Sequence, residues 1–206
     1  MIKLNSKIHK IYFVSDLHLN HTNYCLGVSK WGDKSKCRNF PDIQTMNDVI
    51  LSSLLELPED AYLFILGDTI FGENKNYYSF FEKLKVKNII YIFGNHCNRK
   101  LFTEQSINFN LLNKDIIGSE LIKINIDKHN ILLSHYPLLS WEDMDRTIML
   151  HGHTHGSVEY PENFVDRLHS GYKPKILDVG IDNYFKLYGE YKVFSYEEIK
   201  NLLNIN

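Results

Sequence analysis

The sequence predicts an α/β fold in a single domain, and two observations carry that prediction. Short, unbroken runs of β-branched and aromatic residues alternate with stretches of helical periodicity. Each run ends abruptly in polar residues able to do chemistry. Runs of four or five apolar residues without alternation read as strands buried on both faces, and strand alternating with helix reads as a sheet built by crossover connections.

In chain order, Ile11-Tyr12-Phe13-Val14 forms the first strand and runs into Ser15-Asp16-Leu17-His18. Gln44 to Glu56 places Met46, Val49, Ile50 and Leu54, followed by Leu57, on one helical face. Tyr62 to Leu66 is the next strand and meets Gly67-Asp68, and Tyr77 to Leu84 reads as a second helix. Ile89 to Phe93 then runs into Gly94-Asn95-His96. The later part has a different texture. Glu120 to Ile126 alternates apolar and polar residues, Asp127 to Asn130 supplies a turn, and Ile131-Leu132-Leu133 enters Ser134-His135. That is a hairpin, and it predicts a second, more antiparallel sheet beside the first. Ile148-Met149-Leu150 leads into His151-Gly152-His153, and Tyr196 to Leu203 closes the chain as a short amphipathic helix.

The bulk properties narrow the function classes. The 206 residues suffice for a buried core, and 44% hydrophobic with 23% charged residues is ordinary for a globular protein. A formal net charge of -2 gives no global field for nucleic acid, although it leaves a nucleotide-sized ligand open. Cys25, Cys37 and Cys97 are odd in number and widely spaced, which argues for a reducing compartment rather than a disulfide framework. Met1 to Lys10 is polar and basic, and no run of about 18 apolar residues follows, so the expected location is cytoplasmic with no membrane partner.

In open α/β sheets, ligands bind beyond the carboxyl ends of the strands, where every polar cluster of this chain falls. The candidates are Asp16, His18, Asp68, Asn95, His96, His135, His153 and His155. Carboxylate, imidazole and amide oxygen together suit Mn²⁺, Fe²⁺ and Zn²⁺ without a thiolate. The one-residue spacing of Asp16 and His18, and again of His153 and His155, lets each short loop feed a metal site. A central carboxylate such as Asp68 can bridge two cations about 3.5–4 Å apart. Any one of these residues alone reads as a cap or a hydrogen-bonding group; their order and shared placement at strand ends favour a metal centre.

Asp16-Leu17-His18, Gly67-Asp68, Gly94-Asn95-His96-Cys97, His135 and Gly152-His153-Thr154-His155 resemble the calcineurin-like metallophosphoesterase superfamily, whose pattern runs D-x-H, G-D, G-N-H-D/E, H and G-H-x-H. The resemblance spans most of the chain. It implies a four-layer α/β/β/α sandwich in which two mixed sheets are flanked by helices. It assigns Asp16, His18 and His155 to a first divalent ion and Asn95, His135 and His153 to a second, with Asp68 bridging. Mn²⁺ is the leading choice, with Fe, Zn, Ni and Mg behind it. The implied chemistry is in-line attack on phosphorus by a hydroxide shared between the ions, with His96 assisting the leaving oxygen. One position departs from the pattern: Cys97 stands where the family places Asp or Glu, a carboxylate that would orient the His96 ring.

Gly67-Asp68 is followed by Thr69-Ile70-Phe71-Gly72 and not by the V-D-R-G stretch of the protein Ser/Thr phosphatases. The chain is more similar to small single-domain phosphoesterases of bacteria and phages. The likeness rests on Ser15 to Asn23, Arg38-Asn39-Phe40-Pro41, Thr45-Met46-Asn47, His135-Tyr136-Pro137 and Leu177 to Asp182. His21, Asn23 and Arg38 are the substrate-contact candidates. Against each stands a plainer role: His21 as a supporting or surface residue, Asn23 as a turn cap, and Arg38 in a salt bridge. His151 is expected to support its loop, Asp178 and Asp182 to be structural, and His9, His129 and His169 to lie on the surface. Lys83, Lys85 and Lys87, with Arg99 and Lys100, read as a solvated face.

The leading expectation is a metal-dependent phosphodiesterase acting on a small phosphorylated substrate, nucleotide-like or cyclic. The alternatives are a nuclease, a phosphomonoesterase, or a non-catalytic binding scaffold on the same fold.

Overall fold

The computed structural model describes residues 1–28, 38–72, 74–97, 99, 102, 114–158 and 174–205. Cys37, Lys100 and His169 of the sequence reading lie outside them.

The elements, in order, are β1 (Lys3–Leu4), β2 (Ile11–Val14), α1 (Thr22–Cys25), α2 (Ile43–Leu55), β3 (Tyr62–Ile65), α3 (Asn74–Lys83) and β4 (Asn88–Ile92). There follow β5 (Asp115–Ser119), β6 (Leu121–Ile126), β7 (His129–Ser134), β8 (Thr147–His151), β9 (Ile176–Asp178), α4 (Ile181–Tyr188), β10 (Phe194–Ser195) and α5 (Tyr196–Leu202). They build two five-stranded sheets, ordered β10-β2-β3-β4-β5 and β1-β6-β7-β8-β9. Both sheets are mixed. β2 through β5 pair in parallel with β10 antiparallel at the edge, and β6 and β7 form the antiparallel pair of an otherwise parallel second sheet. The fold is the predicted one of two mixed sheets flanked by helices.

The expectation of a more antiparallel second sheet is corrected: each sheet holds one antiparallel pair. The predicted hairpin is present, with Asp127 and Lys128 both at positive φ (50° and 75°), as a tight two-residue turn requires. Its signal was local, whereas β7, β8 and β9 are joined by long connections that carry no pairing signal in the sequence.

Burial on both faces explains the unbroken apolar strands. Leu63 and Ile65 of β3 face the helices, in a cluster with Met46, Ile50 and Leu54 of α2 and Phe80 and Phe81 of α3. Phe64 and Leu66 point the other way and meet Ile124, Ile131, Leu133, Ile148 and Leu150 of the second sheet. Each such fully buried apolar side chain contributes about 1.5–3 kcal/mol of transfer free energy. Helix α2 starts where Asp42 accepts the Thr45 N–H at 2.8 Å, and α4 stops at Gly189, whose φ of 77° breaks the helix. Among the described residues no helix is long and apolar enough to cross a membrane.

At their carboxyl ends the two sheets come together. Ser15, just past β2, bridges in parallel to Gly180, just past β9, through Ser15 N to Val179 O and Ile181 N to Ser15 O. The loops after β2, β3, β4, β7 and β8 therefore converge on one junction.

Candidate metal centre

The loop after β2 lies along the loop after β3, with Asp16 N donating to Gly67 O at 3.2 Å and His18 N to Asp68 O at 3.0 Å. Asp16, His18, Asp68, His153 and His155 all adopt positive φ, between 46° and 67°. Residues other than glycine rarely occupy this region, at a cost of about 1 kcal/mol each. Five such residues in one place mark a backbone shaped to aim side chains, with strain offset by the surrounding core.

Two glycines let the loops close to this distance. A Cβ on Gly94 would collide with Asp68 Oδ1, and one on Gly152 would overlap Ser15 Oγ and come within 2.5 Å of Asp16 Oδ2. With only hydrogen there, Asp68 Oδ1 accepts the His96 N–H at 2.9 Å and Asp16 Oδ2 accepts the His153 N–H at 2.8 Å. Each carboxylate is fixed through one oxygen, and its other oxygen turns inward.

Those inward atoms define the centre. Asp16 Oδ1, Asp68 Oδ2 and His18 Nε2 are buried with no hydrogen-bond partner among the described residues. Asp16 Oδ1 stands 3.7 Å from both His18 Nε2 and His155 Nε2, and Asp68 Oδ2 stands 3.9 Å from His18 Nε2 and 3.4 Å from His135 Nε2. Asp16-His18-His155 and Asp16-Asp68-His135 are accordingly two groups with ligand atoms within reach of one cation. Leaving several polar atoms buried and unpaired is costly, so the arrangement calls for a shared positive partner.

His135 makes the point most sharply. Its Nδ1 bonds to the carbonyl of Leu66 at 2.7 Å, and a carbonyl can only accept, so this nitrogen carries a proton. Its Nε2 then faces two oxygens, Asn95 Oδ1 at 3.0 Å and Asp68 Oδ2 at 3.4 Å. In the neutral ring that places three lone-pair donors face to face, which is stable around a cation or with a second proton on the ring. Burial alone lowers the proton affinity of His135, but Asp68 and Asp16 reverse the sign and raise it. Burial would likewise raise the Asp16 carboxyl, yet the charge of His155, the contact with His18 and the charge of His135 hold it well below the usual carboxylate range. His18, where burial dominates, falls to about 4, so its ring is neutral at neutral pH.

The remaining candidates occupy the rim. The His153 ring stacks edge-on against His135 at 5.1 Å and Tyr136 at 4.7 Å. Asn95 and His96 are exposed, and the His96 ring lies 5.6 Å from His18 and 4.9 Å from Phe71. His21 also borders the site, 5.7 Å from His18 and 4.1 Å from Phe71, while its Nδ1 caps α1 by accepting the Tyr24 N–H. Asn23 is exposed on α1.

Arg38 is corrected. It is 2% exposed, and its five N–H donors are directed at Asp182 (2.8 and 3.0 Å), the carbonyls of Leu17 (2.6 Å) and Asp16 (2.7 Å), and Met46 Sδ (3.9 Å). The salt-bridge alternative is the one that forms, and no donor remains for a phosphate. Asp182, read from sequence as merely structural, bonds His155 Nδ1 at 2.7 Å. Its signal was available only as a carboxylate placed after a strand end. Asp178 does act structurally, accepting from Thr154, Gly156 and Gly180 to hold the last ligand loop. His151 supports the same loop through its contact with Gly152 O at 2.8 Å.

Cys97 turns away from the role expected of a carboxylate. Its Sγ accepts the Gly94 N–H at 3.1 Å, touches Tyr91 Oη at 3.1 Å and lies 3.9 Å from Asp68 Oδ1. It shapes the loop that carries Asn95 and His96. Cys25 and Cys97 are both free thiols.

Comparison with known proteins identifies the family. The chain is 27% identical over 159 residues to an uncharacterized protein, MJ1445, of Methanocaldococcus jannaschii, covering 75% of each chain. It is 25% identical over 201 residues to an uncharacterized metallophosphoesterase, Cj0846, of Campylobacter jejuni, covering 83% of this chain and half the length of that relative. In fold it resembles a protein of unknown function, AQ665, from Aquifex aeolicus, with a TM-score of 0.59, 23% identity, and 94% of this chain and 99% of the other covered. The family model for calcineurin-like phosphoesterases matches residues 9–206. The chain belongs to the calcineurin-like phosphoesterase family, whose members are metal-dependent phosphoester hydrolases.

Proposed function

We propose that the protein is a phosphodiesterase with a dinuclear metal centre, acting on a small nucleotide-like or cyclic phosphate. The observation that carries this reading is the convergence of buried donor atoms from Asp16, His18 and Asp68, without hydrogen-bond partners among the described residues, on the ring nitrogens of His135 and His155. A first ion would be held by Asp16, His18 and His155, and a second by Asn95, His135 and His153, with Asp68 between them. Mn²⁺ suits this oxygen and imidazole set, as do Fe, Zn, Ni and Mg to differing degrees. When bound, the two ions supply an activated water and neutralise charge on the phosphoryl oxygens.

The chain's own groups do the rest. Asp16 and Asp68 bring negative charge and Arg38's donors are taken up by Asp182 and backbone carbonyls, so bound ions would supply the attraction for an anionic substrate. His96, exposed at the rim beside His18, is placed to give a ring proton to the ester oxygen as its bond to phosphorus breaks. Cys97 supplies no carboxylate to orient that ring, which favours substrates whose leaving oxygen needs little protonation. Phe71 borders His18, His21 and His96, and Tyr136, 40% exposed, borders His135 and His153. An aromatic ring against each half of the centre suits a base or another flat group on the substrate.

The test is hydrolysis of bis-p-nitrophenyl phosphate and p-nitrophenyl phosphate by metal-stripped protein, with Mn²⁺, Ni²⁺, Zn²⁺ or Mg²⁺ added back. Diester turnover that requires metal and disappears in Asp68→Ala supports the reading. Faster monoester turnover would replace it with a phosphomonoesterase, and no turnover in protein that holds two ions would point to a scaffold.

A further inference from the structure

The ion pair that corrects Arg38 has a geometry suited to more than packing. Asp182 accepts from four groups on three separate parts of the chain: Arg38 Nε at 2.8 Å, Arg38 Nη2 at 3.0 Å, Tyr24 Oη at 3.2 Å and His155 Nδ1 at 2.7 Å. Tyr24 Oη also lies 2.9 Å from the same His155 nitrogen. Arg38 reaches onward, to Leu17 O at 2.6 Å and Asp16 O at 2.7 Å. Those two carbonyls belong to the loop in which Asp16 and His18 adopt positive φ, where the regular ladder has ended and buried carbonyls need donors from elsewhere.

We infer that Arg38 and Asp182 are positioning residues for the first metal site: together they clamp the Asp16-Leu17-His18 loop to His155 and fix the His155 proton on Nδ1. The inference rests on the metal-centre reading above. A carboxylate can only accept, so the 2.7 Å contact requires the proton on Nδ1 and leaves the Nε2 lone pair facing Asp16 Oδ1 at 3.7 Å. A carboxylate behind a ligating imidazole orients the ring and raises its basicity, and losing it typically weakens metal affinity 10- to 100-fold. The clamp joins the three groups assigned to one ion and touches none assigned only to the other. His135 obtains its orientation elsewhere, from the Leu66 carbonyl. The two sites thus rest on different braces, and they meet where Asp16 Oδ2 accepts the His153 N–H.

The test is Mn²⁺ titration of metal-stripped wild type and Asp182→Asn by calorimetry, with circular dichroism as the check on folding. Asp182→Asn keeps the shape but removes the charge that fixes the proton. Arg38→Met/Asp182→Leu removes both charges at once, leaves no buried ion unpaired and serves should the single variant not fold. The expected result is two binding events in wild type, with one weakened 10- to 100-fold in the variants and the other unchanged. Folded variants that bind both ions as wild type does would overturn the inference, as would equal weakening of the two. Wild type that binds no Mn²⁺ would instead overturn the metal-centre reading on which it stands.

Discussion

Asp68 owes its aim to groups that are not ligands. Its Oδ1 is tied to the His96 N–H, and the space for that contact exists because Gly94 has no side chain. Gly94→Ala should therefore displace Asp68, destabilise the fold by about 1–3 kcal/mol and remove most metal binding. Urea unfolding and a chelator-competition titration measure the two effects, and Gly94→Ala with intact metal affinity would show that Asp68 is placed by something else. His96 behaves differently because it stands at the rim. His96→Gln should lower kcat by about 10²–10⁴-fold with metal content unchanged, and the loss should grow as the leaving group becomes more basic. A series of aryl phosphodiesters read by stopped-flow absorbance gives that slope directly. At this scale, residue types and spacing revealed the groups facing the centre. They did not reveal the groups behind it. Arg38 and Asp182 are 144 positions apart, and nothing in either local sequence shows that one folds onto the other.

Each element displays what its sequence can and cannot announce. The strands β2, β3, β4, β7 and β8 were legible because burial on both faces demands continuous apolar residues, and α2 and α3 because their apolar positions recur at helical spacing. The two-residue strands β1 and β10 were not, since pairing that short is decided by the neighbouring strand. β5 escaped too: Asp115–Ser119 is largely exposed and lies at a sheet edge, so it carries no core signal. α4, with buried Ile181 and Tyr184, is not announced either, because its start has no side-chain cap to mark it. α5, in contrast, starts at a capping box formed by Ser195 and Glu198. Ser195→Ala should cost about 1 kcal/mol, visible as a lower urea midpoint with unchanged activity, since this helix is remote from the ligand loops. An unchanged midpoint would mean that packing of Tyr196 and Ile199 alone holds the helix in place.

The whole molecule joins two sheets at the end where their loops meet, and it concentrates buried charge there. Asp182 is largely buried, which would raise its carboxyl, but Arg38 and His155 outweigh burial and hold it well below the usual carboxylate range. A carboxyl depressed in the folded state stabilises the fold fully above its unfolded value of about 3.9, and that stability is lost as pH falls through the folded value. The contribution of the Asp182 pair in metal-free protein should thus hold down to about pH 4 and be lost below. Asp182→Asn should be less stable at neutral pH, by about 3–5 kcal/mol for an orphaned Arg38, and should fall less steeply in acid. Urea unfolding across pH 2.5–7 compares the slopes, and parallel curves would count against the pair.

On the function proposed above, this junction binds two divalent ions through Asp68 and its neighbours. Metal-stripped protein reconstituted with Mn²⁺, desalted and assayed for metal content measures it most directly. The predicted result is two ions per wild-type chain and at most one in Asp68→Ala, with a higher thermal midpoint for wild type in free Mn²⁺, since free ion at 100 times a site's Kd adds about 2.7 kcal/mol. Wild-type protein that retains no ion, or Asp68→Ala that retains both, would contradict the claim.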